Sequence, residues 1–271
     1  MHTRTLQTGN QKELLMSYNT LRKLLGTLGV ALPIVLIAGS VALHGSVLRS
    51  ISAYYYSPMR DLLVAAFCSI GLFLFTYKGY KDKDELISEN IITNCAGTMA
   101  ACVALLPTSF QDYSLDNVCT SNHIPCCWNI FGVIDNFDIP NNPQCTLLST
   151  THLVAAILFF ALVAYLSIFR FTKITDDQND RRREIKLYKV CGYIIVACII
   201  VMGLDAAANK KWTYDNVEIA LHWFPVLFTF ESIALWAFGI AWLTKGKLHV
   251  DIKNAAAFLR KGHKPQGKLP G

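Results

Sequence analysis

LLGTLGVALPIVLIAGSVAL, residues 24–43, is a run without a single charge that follows directly on Arg22 and Lys23. A bilayer core of about 30 Å takes roughly 20 helical residues to cross, and only a helix or a closed barrel satisfies every backbone N–H and C=O where water is absent. The run therefore reads as a transmembrane helix. It is longer than the apolar core of a cleavable signal, so it is expected to be retained. Working outward from it, residues 22–43, 59–78, 91–107, 151–171, 190–204 and 219–243 are all long and apolar enough to span or nearly span a bilayer. The composition agrees: 53% of residues are hydrophobic and 16% charged, where a soluble domain carries about a quarter. The expected fold is all-α, a polytopic membrane helix bundle of about six transmembrane helices.

The third and fifth runs are short; the third holds Asn94 and Thr98, and Asp205 stands at the end of the fifth. Polar groups in lipid are satisfied by neighbouring helices, which predicts that these two sit inside the bundle.

Lys and Arg in short loops set orientation, because cytoplasmic segments carry the excess. They gather in alternate segments: Lys12, Arg22 and Lys23; Lys78, Lys81 and Lys83; Arg170 through Lys189; and Lys245 through Lys268. The intervening loops are poor in them. This predicts a cytoplasmic N-terminal segment at 1–21, a transmembrane domain at 22–243 and a cytoplasmic basic tail at 244–271, with both termini on the cytoplasmic side of the cell (inner) membrane. Within the tail, 250–259 is expected to form a short surface helix. The net charge of +6 accompanies no RNA- or DNA-binding motif, so no nucleic-acid partner is expected. Membrane lipids are.

The loop at 108–150 is acidic and concentrates Cys119, Cys126, Cys127 and Cys145. Its placement outside, derived from charge, matches an oxidising compartment and so two disulfides. A direct Cys126–Cys127 bond is strained, which leaves two pairings; a four-cysteine zinc knot is the rival reading. Cys68, Cys95, Cys102, Cys191 and Cys198 fall within spans and read as small packing residues.

Charges inside spans are costly and mark candidate sites. Glu231 lies about halfway along the last run. Arg60 and Asp61 open the second run after SAYYYSPM, residues 52–59. Ser57 can cap that helix, Pro58 suits its first turn and Asp61 suits the positive end of its dipole. Arg60 sits against the dipole, which points to an anionic neighbour. Tyr55 and Tyr56 fit an interfacial aromatic belt or the wall of a headgroup pocket. With His152 at the same predicted depth, Tyr55, Tyr56, Arg60, Asp61, His152 and Glu231 form the expected ligand-binding set. They predict a non-enzymatic protein with an outward-facing polar pocket for a lipid headgroup or small solute. No cofactor is expected under that reading.

Two alternatives stand beside it. A metal-dependent membrane lipid hydrolase would hold zinc through Asp61, His152 and His222, although no histidine pair has helical ligand spacing. A proton-coupled transporter would use Glu231. No P-loop, dinucleotide-binding glycine pattern or nucleophile elbow is present in the sequence, so the familiar soluble chemistries have no foothold.

SISAYYYSPMRD (50–61), together with 152–173 and 231–246, resembles a family of uncharacterised bacterial multi-pass membrane proteins classed as a domain of unknown function. That resemblance implies six or so helices and no established activity. A more distant similarity is to membrane hydrolases of the alkaline ceramidase and progestin-receptor type, which use Ser-x-x-x-His, an Asp and a late His-x-x-x-His around zinc. Ser52 and Asp61 match, but Tyr56 stands at the first histidine position and the last run lacks His-x-x-x-His.

Overall fold

A computed structural model describes residues 2–44, 47–77, 88–108, 128–129, 132–133, 143–173, 178–212 and 225–247. The described chain forms six α-helices: α1 (His2–His44), α2 (Arg60–Thr76), α3 (Glu89–Leu105), α4 (Pro143–Tyr165), α5 (Gln178–Trp212) and α6 (Val226–Lys245). Outside the helices, β1 (Trp128–Asn129) and β2 (Gly132–Val133) make a two-residue antiparallel ladder. No strand is expected from the sequence there.

Among the described residues, four helices are long and apolar enough to cross a membrane, through Tyr18–Leu43, Leu147–Arg170, Arg182–Ala206 and Val226–Lys245. α2 and α3 have 17 residues each, about 25 Å at 1.5 Å per residue. The outward surface is apolar, with Ile34, Leu72, Leu153, Tyr193 and Leu204 all more than half exposed. Lipid solvates such a surface and water does not.

Each helix packs on its neighbours in sequence, and α1 closes the ring against α6. Two seams are made by glycine. A Cβ added at Gly26 would stand 2.7 Å from the Gly239 carbonyl oxygen, and one at Gly97 would stand 2.8 Å from the Gly71 carbonyl oxygen. Lipid provides no hydrophobic drive between helices, so close backbone approach supplies the attraction instead. Inside the ring Phe159 of α4 meets Phe67 of α2 and Phe238 of α6, with ring centres 6.0 and 5.8 Å away.

Several expectations change here. Asn94 and Thr98 are exposed rather than inside the bundle: Thr98 donates its hydroxyl to the Asn94 carbonyl at 3.0 Å and needs no neighbouring helix. The buried polar residues of α3 are Glu89 and Thr93, the Thr93 hydroxyl donating to the Glu89 carbonyl at 3.1 Å. α5 is long and the least enclosed of the four candidate spans, 28% buried against 50% for α6. α4 begins at Pro143, eight residues before the expected start, and ends in a π-helical turn, Leu166–Arg170, in which Phe171 N–H reaches the Leu166 carbonyl at 2.9 Å. Cys119, Cys126 and Cys127, the tail segment 250–259 and His222 lie outside the described residues. The backbone of Cys145 belongs to α4, but its side chain also lies outside them.

Candidate functional site

At the end where α1 finishes and α2 starts, here the upper end, residues 47–59 fold back over the bundle. A 3-10 turn, Ser52–Tyr56, lies at the centre of this segment. Ser50 starts it, with its Oγ accepting from Ala53 N–H at 2.9 Å. Ser57 ends it, donating to the Tyr54 carbonyl at 2.9 Å and accepting from Met59 N–H at 3.2 Å. Ser57 therefore caps the turn leading into α2, one step earlier than the helix cap expected of it. Tyr54 is fully buried against Phe228; its hydroxyl accepts from Leu48 N–H at 3.4 Å and is hydrogen-bonded with Ser40 of α1. Burial pushes its phenol above the usual tyrosine pKa, against the opposing effect of those two hydrogen bonds.

Glu231 holds the turn from the other side. Pro225 precedes α6 and has no N–H to continue a helix backward, so α6 starts at Val226 and Glu231 is its sixth residue. This corrects the mid-span position expected from the hydropathy run: the carboxylate stands near the upper end. It accepts from the backbone N–H groups of Ile51 and Ser52, and the backbone link is reinforced where Phe228 N–H meets the Arg49 carbonyl at 2.9 Å.

His152 of α4 is buried. Its Nδ1 lies 2.8 Å from the Leu106 carbonyl and its Nε2 lies 3.0 Å from Ser52 Oγ. A carbonyl only accepts, so Nδ1 carries the proton and Nε2 accepts from the Ser52 hydroxyl. Tyr56 donates to the Thr108 carbonyl at 2.6 Å. The last carbonyls of a helix and those just beyond it lack intrahelical partners, and here the segment after α3 is tied to α4 and the turn.

The structure thus joins His152 and Glu231 through Ser52: one side chain takes its hydroxyl, the other its backbone N–H. Arg60 and Tyr55 form a second pair, the guanidinium carbon 4.6 Å from the ring centre and Nη2 donating to the hydroxyl at 3.3 Å. Arg60 is half-buried, and Asp61 is exposed in the first turn of α2. Ser52 is not in the expected binding set and stands out in the sequence only through the distant hydrolase similarity; the fold places it between a histidine and a carboxylate. For the zinc alternative, both ring nitrogens of His152 are engaged, and no three His, Cys, Asp or Glu side chains converge among the described residues. Against known proteins, no family model, curated protein or solved structure matches this chain.

Proposed function

We propose that the protein is a six-pass bacterial inner-membrane protein, with both termini cytoplasmic, that binds a lipid headgroup or small solute at its upper, outward-facing end. The observation that carries this reading is the pinning of the Ser52–Tyr56 turn by Glu231 and His152. A carboxylate and an imidazole are costly to place in an apolar bundle, and here both are used to fix the loop that presents Arg60 on Tyr55. In this reading Arg60 is the cation that meets an anionic headgroup, Tyr55 and Tyr56 are its aromatic wall, and Asp61 is the exposed carboxylate beside it. α2 and α3 complete the six passes; they pair closely through Gly71 and Gly97 and supply an even number of crossings.

Native mass spectrometry of detergent-purified protein, wild type against Arg60→Ala, tests it. Loss of a charged hydrogen bond, about 1.5–3 kcal/mol, lowers retention of the co-purifying ligand about tenfold or more; an unchanged ligand complement refutes the reading. A second reading, a lipid hydrolase, is favoured by one observation: Ser52 donates to His152 Nε2 while Nδ1 is oriented by a carbonyl, the arrangement of a nucleophile beside its base. A fluorophosphonate that labels Ser52 in preference to Ser50 and Ser57 supports it, and absence of that labelling counts against it.

A further inference from the structure

α5, the least enclosed of the four candidate spans, carries different chemistry on its two faces. At 3.6 residues per turn, Glu184, Tyr188, Cys191, Ile195 and Cys198 share one face. The last four of these are buried, and the Tyr188 ring packs on Phe171 with centres 5.5 Å apart. Arg182, Lys186, Lys189, Tyr193, Ile200 and Leu204 share the opposite face, within about 60° of one another around the helix. All six are exposed. Arg183 is exposed beside them.

The four cations of this stretch, Arg182, Arg183, Lys186 and Lys189, make no hydrogen bond or ion pair with another described residue. The acid among them, Glu184, lies on the packed face, where its field reaches Tyr188 and Lys245. Other cations of this end turn inward. Arg22 lies between the rings of Tyr18 and Tyr77, 5.3 and 5.4 Å from their centres. Lys245 stands 4.7 Å above the Phe171 ring, Arg170 is buried, and Trp242 packs on both Tyr77 and Phe171, at 5.0 and 5.1 Å. The outward charge of α5 is therefore uncompensated by the protein.

Depth decides what meets it. The uncharged run of α5 starts at Val190, and at 1.5 Å per residue Lys189, Lys186 and Arg182 lie about 1.5, 6 and 12 Å below that residue. The headgroup layer on each side of the hydrocarbon is about 5–8 Å deep. Lys189 and Lys186 stand within it, directly below the face that Tyr193, Ile200 and Leu204 turn to lipid, and Arg182 stands at its water-side edge. A zwitterionic headgroup brings no net charge to such a face; an anionic one does.

We infer that the Arg182–Lys186–Lys189 face of α5 docks anionic headgroups of the adjoining membrane leaflet, with the chains of the same lipids lying along Tyr193 and Ile200. The full-length protein, delipidated in mild detergent, is mixed with equal amounts of phosphatidylglycerol and phosphatidylcholine of the same acyl chains, and native mass spectrometry reads the retained lipid. The comparison is run in Arg60→Ala protein, so an anion held at the other end does not enter and the headgroup reading there stands or falls separately. Preferential retention of phosphatidylglycerol is expected, weakening as salt shortens the screening length from about 10 Å at 0.1 M to about 3 Å at 1 M. Each basic residue near an anionic surface contributes about fivefold in affinity. Arg182→Gln/Lys186→Gln/Lys189→Gln is expected to lower phosphatidylglycerol retention about tenfold or more, with phosphatidylcholine unchanged. Removing the same charge from the tail, as Lys261→Gln/Lys264→Gln/Lys268→Gln, is expected to leave the preference intact. Glutamine is nearly as good a helix former as lysine or arginine; should the triple variant still fail to fold, Lys186→Gln alone decides, with an expected loss of about fivefold. Equal retention of the two lipids, or unchanged retention in the deciding variant, overturns the assignment. An equal loss in the tail variant overturns it in favour of undirected net charge.

Discussion

Replacing Gly239 by alanine tests whether backbone contact closes the ring. The new Cβ would lie 2.6 Å from the Gly26 carbonyl oxygen, 2.7 Å from Val30 Cγ2 and 2.9 Å from Val30 N. Ordinary contact begins near 3.4 Å, so α1 and α6 must part by about 0.8 Å along the tightest line. Two of the three neighbours are backbone atoms and have no rotamer to change. Overpacking of this kind costs about 1–3 kcal/mol, and parting the helices also weakens the Trp236 indole bond to the Val30 carbonyl at 3.1 Å. The assay is the unfolding midpoint of purified protein on titration with sodium dodecyl sulfate, followed by circular dichroism. Gly203→Ala is the control, because a Cβ there meets nothing within 4 Å and alanine is the better helix former. Gly239→Ala should fall well below wild type while Gly203→Ala equals or exceeds it. The double variant Gly26→Ala/Gly239→Ala should cost less than the sum of the singles, since one separation relieves both clashes. A Gly239→Ala protein as stable as Gly203→Ala would refute the reasoning.

Glu231→Leu should destabilise by about 1–3 kcal/mol for each of the two N–H groups left buried without an acceptor; Glu231→Gln should cost less, since an amide oxygen still accepts, and thermal melts in detergent rank the two. His152→Ala leaves the Leu106 carbonyl and Ser52 hydroxyl unanswered, and hydrogen exchange should rise in residues 49–57 more than in α6. Because burial raises the Tyr54 pKa, its contribution to stability is fully present below the ordinary tyrosine value of about 10 and is lost as pH rises through the folded value. Absorbance titration at high pH should show a late-ionising phenol that Tyr54→Phe removes.

The helices were legible because lipid leaves so few backbone solutions that long apolar runs announce themselves. Which way each helix faces was not. In water the solvent face is polar and periodicity exposes it; past its first turn α3 is apolar on both faces apart from small hydroxyls and amides, so Asn94 and Thr98 read as interior when the buried polar side chains are Glu89 and Thr93. Arg22, Lys245 and Arg170 were visible as orientation charges, but nothing in their spacing tells that α1, α4 and α6 end against one another with Tyr77, Phe171 and Trp242 between them. Glu231 stood out in the sequence as a charge within a run, and His152 as a member of the expected binding set. Their common partner is Ser52, 100 residues before the histidine in sequence, and only the ring of helices makes them neighbours.

The closure of that ring has a consequence for how the chain is made. Of the described helices α1 is synthesised first and α6 last, yet the glycine face of α1 has α6 as its close partner. Until synthesis reaches Gly239, Gly26 and Gly29 must be covered by lipid or by an insertion factor, and a chain arrested before α6 would display a narrow groove rather than a sealed wall.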